Sequence, residues 1–174
     1  DILDFIKIKQ TEGVLTNFNI SVGVTDAFMQ AVEKNQDFPL INPRTRMVAK
    51  ILHARELFEQ IVRSAWENGE PGILFLDTIN AANPTPLIGE IEGTNPCGEQ
   101  PLLPFEACVL GSINLSRMVK LKNGIYETDW NCLEGVIYRA VHFLDNIIDV
   151  NKYPLPQIEH LAKSNRKVGL GIMG

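Results

Sequence analysis

The chain has 174 residues, 45% hydrophobic and 21% charged, with a net charge of −5, the profile of a folded globular chain able to bury one sizeable core. Its Lys and Arg residues are scattered and form no basic stripe of the kind that neutralises phosphates, which argues against a nucleic-acid partner. No apolar run approaches the roughly 18 to 20 residues of a membrane span, the start DILDFIKIKQ has no basic segment leading into an apolar one, and three cysteines are too few and too odd in number for a secreted disulfide framework.

A cytoplasmic location is therefore expected, and the sequons Asn19-Ile-Ser21 and Asn114-Leu-Ser116 read as chance. In chain order, residues 1 to 9 predict a short helix from Ile2, Leu3, Phe5, Ile6 and Ile8. Leu15, Phe18, Ile20, Val22 and Val24 predict a strand. Thr25 suits the cap of a helix with Ala27, Phe28, Ala31 and Val32 on its apolar face, and residues 35 to 46 read as a loop. Leu57, Phe58, Ile61, Val62 and Ala65 form a helical stripe that Asn68-Gly69 stops, with Pro71 just beyond. Residues 73 to 76 predict a buried strand. The segment from Asn80 to Pro104 is rich in Pro and Gly and has almost no periodicity, the pattern of a long ordered loop with a function. Residues 108 to 115 predict a strand, and Leu133, Val136, Ile137, Ala140, Val141, Leu144 and Ile148 the longest helix, with Asp129 as its cap. A short helix near Ile158 and a strand over 168 to 172 follow. This βαβ order predicts an α/β fold with a parallel or mixed sheet.

The chemistry concentrates in TNPCGEQPLLPFEAC, residues 94 to 108. Asn95, Cys97 and Glu99 occupy alternate positions, and Pro96 biases Asn95 toward extended geometry, in which alternate side chains project to one side. Gly98 lets the backbone turn and another molecule approach the sulfur. An amide, a nucleophilic or one-electron sulfur and a proton acceptor are the parts of a catalytic site. Other readings stand beside it. Cys97 suits an inert loop thiol or a metal ligand, although Cys97 and Cys108 lack a CxxC partner and His53, His142 and His160 fall in helical stretches, so no metal site is expected. A Cys97–Cys108 disulfide requires the turn to bring the Cα atoms to about 4.4–6.8 Å.

The run TNPCGEQPLLPFEACVLGSINLS strongly resembles the catalytic finger-loop region of ribonucleotide reductase large subunits, most of all the adenosylcobalamin-dependent class. LTNFNISVGVTDAFMQAV, ENGEPGILFLDTINAANPTP and NRKVGLGIMG are similar to family segments on either side, in the right order, so the resemblance covers essentially the whole chain. It implies radical reduction of ribonucleotides, diphosphates in the reading adopted, to 2′-deoxyribonucleotides. Cys97 would become a thiyl radical shielded from water and remove the 3′-hydrogen. Glu99 would take the 3′-hydroxyl proton, and Asn95 would hydrogen-bond the ribose, with Gly98 alongside in substrate binding. Cys108 would be one of two cysteines that supply electrons and end as a redox disulfide.

The same resemblance implies adenosylcobalamin as cofactor, a thioredoxin-like reductant, nucleotide effectors bound outside this chain and a homodimer. It also implies that residues 1–174 are the central part of a ten-stranded α/β barrel, truncated at both ends, with an inserted finger loop at about 80–108. The partner of Cys108, the effector-specificity loops and the loop holding the substrate phosphates would then lie outside the chain. Cys132 is expected to be a small buried apolar residue of the long helix. Asn17, Asn19 and Ser21 either face the substrate or, the more common use, satisfy backbone groups. Gly169 and Gly171 do not make a phosphate loop, and Trp66 and Trp130 are expected to pack. Two alternatives remain open: a non-catalytic scaffold piece of such an enzyme, and a catalytic subunit that draws its radical from a metal-containing partner.

Overall fold

Two parallel strand pairs, each with helices in the connection between its strands, organise the chain into two units, Asp1–Leu103 and Pro104–Gly174. The computed structural model describes residues 1–11 and 13–173.

The first unit begins with helix α1, Ile2–Lys7, extended by a 3₁₀ turn over Ile8–Gln10. Strand β1, Ser21–Val24, is shorter than the 15 to 24 the sequence predicts. Residues before it turn instead: Val14 N–H donates to Thr11 O at 3.3 Å, Phe18 N–H donates to Leu15 O at 3.1 Å, and Leu15 has φ of 50°. Backbone groups spent on such turns cannot join a ladder. Helix α2, Asp26–Glu33, starts at the predicted cap, where Thr25 Oγ1 accepts from Phe28 N at 3.2 Å.

Strands β2, Asp37–Ile41, and β3, Val48–His53, form an antiparallel hairpin where the sequence predicts a loop over 35 to 46. Pro39 removes one donor, which the outer strand of a two-stranded ribbon tolerates. Asn42 organises the turn, its Oδ1 accepting from Arg44 N at 2.9 Å and Thr45 N at 3.2 Å. Phe38 meets Phe28 edge-on, the ring centroids 5.2 Å apart, so the hairpin packs on the core.

Helix α3, Ala54–Asn68, ends as predicted at Gly69, which has φ of 86°. Strand β4, Gly72–Phe75, runs parallel to β1 with Val22 opposite Ile73. Val22, Val24, Phe28, Ala31, Val32, Leu57 and Ile61 make the core with Ile6. Each such burial of a Val, Leu, Ile or Phe contributes about 1.5–3 kcal/mol.

Helix α4, Leu76–Ala81, leads into the segment predicted as an ordered loop. Asparagine side chains give it shape: Asn80 Oδ1 accepts from Ile91 N at 2.7 Å while its Nδ2 donates to Ile91 O at 2.9 Å, and Asn83 Nδ2 donates to Gly89 O at 2.9 Å. The segment closes with strands β5, Gly93–Thr94, and β6, Pro101–Leu102, paired antiparallel.

In the second unit, β7, Val109–Asn114, is followed by a hairpin of β8, Val119–Lys122, and β9, Ile125–Thr128. Helix α5, Trp130–Val150, is capped as predicted, with Asp129 Oδ1 accepting from Cys132 N at 3.2 Å. Helix α6, Pro156–Asn165, leads into β10, Val168–Met173, which lies parallel to β7. Ile113, Leu144, Ile148 and Ala162 are its buried centre, and Gly111 brings the backbone of β7 close to Leu144. The α/β character and the parallel pairing agree with the sequence reading. The strands pair two at a time, and the described residues form no closed barrel.

Candidate active site

Cys97 stands at a corner of a tight turn that starts at Asn95 and ends at Gly98, closed by Gly98 N–H donating to Asn95 O at 3.0 Å. The β5–β6 ladder holds the base of this turn. Just inside it, Asn95 N–H donates to Gln100 O at 3.1 Å, and Asn95 Oδ1 accepts from Gln100 N at 3.0 Å. Thr94 Oγ1 adds a donor to Asn95 O at 2.9 Å. Asn19 Nδ2, far away in sequence, donates to Pro96 O at 3.0 Å and ties the corner to the approach to β1.

Gly98 has φ of 86°, which side chains rarely adopt, and the place of its missing Cβ meets nothing within 4 Å. Glycine is required here by backbone conformation and leaves open space beside the turn. The turn closes over 95 to 98, so strand alternation does not set the directions of Asn95, Cys97 and Glu99. Cys97 and Glu99 are exposed and Asn95 half-buried, so the described residues do not cover the Cys97 sulfur. With its Oδ1 engaged, Asn95 keeps its Nδ2 hydrogens without a partner among the described residues, as donors for a ligand.

Cys108 lies one residue before β7 and is half-buried, its thiol 3.6 Å from Val109 O. Burial pushes the thiol up from its ordinary range, Lys167 opposes that, and Glu106 adds to it. The Glu106 side chain is wholly out of solvent, yet fully engaged: Lys167 Nζ stands 2.6 Å from Oε2, and Asn165 Nδ2 donates to Oε1 at 2.8 Å. Sequence reasoning missed Glu106, Asn165 and Lys167. PFEAC and NRK carry them, but only the pairing of β7 with β10 brings the two segments together.

The other expectations divide. Asn19 satisfies a backbone carbonyl, the common use of such a residue. Cys132 is exposed rather than buried, because it falls on the outer side of the first turn of α5, with its Sγ 3.9 Å from Met118 Sδ. Trp66 and Trp130 are 85% and 70% exposed rather than packed. Gly169 and Gly171 lie within β10. Among the described residues, no three His, Cys, Asp or Glu gather as a metal site, and no helix is long and apolar enough to cross a membrane.

The ribonucleotide reductase barrel domain family matches residues 1–174. The chain is 53% identical over its whole length to a vitamin B12-dependent ribonucleoside-diphosphate reductase of Mycobacterium tuberculosis (strain CDC 1551 / Oshkosh), of which it covers 25%. It is 49% identical, again over its whole length, to the protein of that name from Thermoplasma acidophilum, covering 22% of it. A vitamin B12-dependent ribonucleotide reductase of Streptomyces coelicolor is 33% identical over 89% of the chain, which covers 16% of that relative. The chain thus spans about a quarter or less of the length of these relatives, and it belongs to the ribonucleotide reductase barrel domain family.

Proposed function

We propose that the protein containing this chain reduces ribonucleoside diphosphates to 2′-deoxyribonucleotides by a thiyl radical on Cys97. The observation that carries this reading is the Asn95–Gly98 turn, which presents an exposed sulfur beside an amide whose N–H groups are still available. In the reaction, Cys97 takes the 3′-hydrogen, Glu99 accepts the 3′-hydroxyl proton, and Asn95 Nδ2 holds a ribose hydroxyl. The 2′-hydroxyl leaves as water. Cys108 and a second cysteine give up two electrons and two protons and become a disulfide, so a ribonucleotide and a dithiol yield a deoxyribonucleotide, a disulfide and water. A thioredoxin-like dithiol restores the pair, and nucleotide effectors and a homodimer complete the assembly we assign.

The relatives' names support adenosylcobalamin as the cofactor. The residues present fit it: Cys97 is exposed, and the open space beside Gly98 admits a bulky group. When bound, it supplies a 5′-deoxyadenosyl radical able to take hydrogen from a thiol. We read the two parallel pairs as pieces of a ten-stranded α/β barrel, with residues 80–108 as its finger loop.

Tritium washout from 5′-labelled adenosylcobalamin, measured beside product formation in the full-length protein, tests the reading. Washout is expected in the wild type. Its absence, with activity only on adding a metal-containing partner protein, would assign a different radical source.

A further inference from the structure

A buried ion pair is a weak device for stability, since well-packed apolar residues of like volume often do as well or better. The pair between Glu106 and Lys167 therefore calls for another account. Its geometry points at Cys108. Glu106 is two residues before the thiol, and Lys167 lies across from it: Val109 N–H donates to Lys167 O at 3.4 Å, and the register that sets Val168 against Val109 puts Lys167 opposite Cys108 when carried back one residue. Arg166, the neighbouring cation, is turned to α5, where it forks onto Asp145 and Asp149 at 2.7–3.0 Å. Among the charges near the thiol, Lys167 favours its ionised form and Glu106 disfavours it.

We propose that Lys167, held in place by Glu106 and Asn165, is a positioning residue for Cys108 whose ammonium stabilises the thiolate that Cys108 becomes when its disulfide is reduced. This rests on the reading of Cys108 as a reducing thiol. In that step the thiolate of an external dithiol attacks the partner sulfur, and a mixed disulfide forms as the original S–S bond breaks. Cys108 leaves with the electron pair as a thiolate beside Lys167 and takes a proton from solvent. The second reductant thiol loses its proton and attacks the first reductant sulfur, so that the reductant's own disulfide forms as the mixed disulfide breaks and the partner cysteine leaves as a thiolate that is protonated in turn. Two electrons and two protons pass from the dithiol to the pair. A leaving thiol of lower pKa departs faster.

The test is the pH dependence of iodoacetamide alkylation at Cys108, followed by peptide mass spectrometry in the reduced full-length protein without substrate. Lys167→Met is expected to move the alkylation midpoint to higher pH, slowing labelling below both midpoints about tenfold per unit of movement. Lys167→Arg keeps the charge and should restore a near-native midpoint. Glu106→Gln should move it lower. Should Lys167→Met fail to fold, Glu106→Gln/Lys167→Met leaves no buried charge behind and is still expected above the native midpoint, because the lysine is the stronger influence. Mere loosening of the structure would expose Cys108 and bring every variant down toward an ordinary thiol. Midpoints that stay fixed, or that fall in the lysine variants, overturn the proposal. Multiple turnovers by Cys108→Ser would remove the redox reading itself while leaving the labelling result standing.

Discussion

Cys97 is exposed on a turn shaped by hydrogen bonds from neutral groups, Asn95, Gln100, Thr94 and Asn19, whereas Cys108 is half-buried beside a carboxylate wholly out of solvent and a lysine paired to it. The two surroundings suit different chemistry. Hydrogen-atom transfer carries no net charge, so the group that performs it needs access and a fixed position. Thiol–disulfide exchange passes through a thiolate, so its rate depends on how charge and burial treat the ionised sulfur. Under the proposed function, the surroundings of the two thiols suit the two separate jobs assigned to them.

The largest expected effect breaks this comparison if it fails. In the full-length protein, Cys97→Ser should abolish both tritium washout and product formation, because an O–H bond is too strong to replace S–H in the radical step. Cys108→Ser should keep washout and lose multiple turnovers. Washout that survives in Cys97→Ser, or that disappears in Cys108→Ser, would interchange or merge the two roles.

A smaller effect is expected at Glu99. Glu99→Gln should leave nucleotide binding in place and slow reduction by roughly 10²–10⁴-fold, the usual worth of general-base help. Loss of binding at an unchanged maximal rate would make Glu99 a positioning group.

The comparison also predicts different structural costs. Glu106→Ala removes the carboxylate that the half-buried Lys167 ammonium and the Asn165 amide both contact, a loss of about 1.5–3 kcal/mol. Asn19→Ala removes one exposed hydrogen bond to Pro96 O, worth about 0.5–1.5 kcal/mol. Denaturant titration of the full-length protein compares them. Equal costs would mean that the carboxylate is less committed than its 2.6 Å and 2.8 Å contacts indicate.

The parts of this architecture that local chemistry determines were legible in the sequence. Thr25 and Asp129 cap their helices, and Asn68-Gly69 ends α3, because each signal acts within one turn of backbone. The β8–β9 hairpin carries a signal of the same kind, Asn123-Gly124 with φ of 53° and 79°, as its tight turn requires. Its strands are exposed on both faces, so no burial alternation marked them. Asn95, Cys97, Glu99 and Cys108 stand out in the sequence as chemistry-bearing residues of one segment, and the roles given to them belong to the proposed function. The contacts of these residues were not legible, since Asn19 reaches Pro96 across 77 residues and Lys167 reaches Glu106 across 61, the latter beside the pairing of β7 with β10. The strand alternation expected through Cys97 gives way to a turn, because Gly98 takes a positive φ and its N–H closes onto Asn95 O.

The smallest expected effect sharpens the comparison by supplying a thiol with neither kind of surroundings. Cys132 is exposed near the start of α5, with its Sγ 3.9 Å from Met118 Sδ. The cap that starts α5 uses the Cys132 backbone N–H, donated to Asp129 Oδ1 at 3.2 Å, so replacing the side chain leaves that bond intact. Cys132→Ser and Cys132→Ala should therefore change stability by no more than about 0.5 kcal/mol, as surface substitutions away from such features usually do, with turnover and washout unchanged. Loss of turnover in Cys132→Ser without unfolding would make Cys132 a third working thiol and end the two-cysteine division of labour.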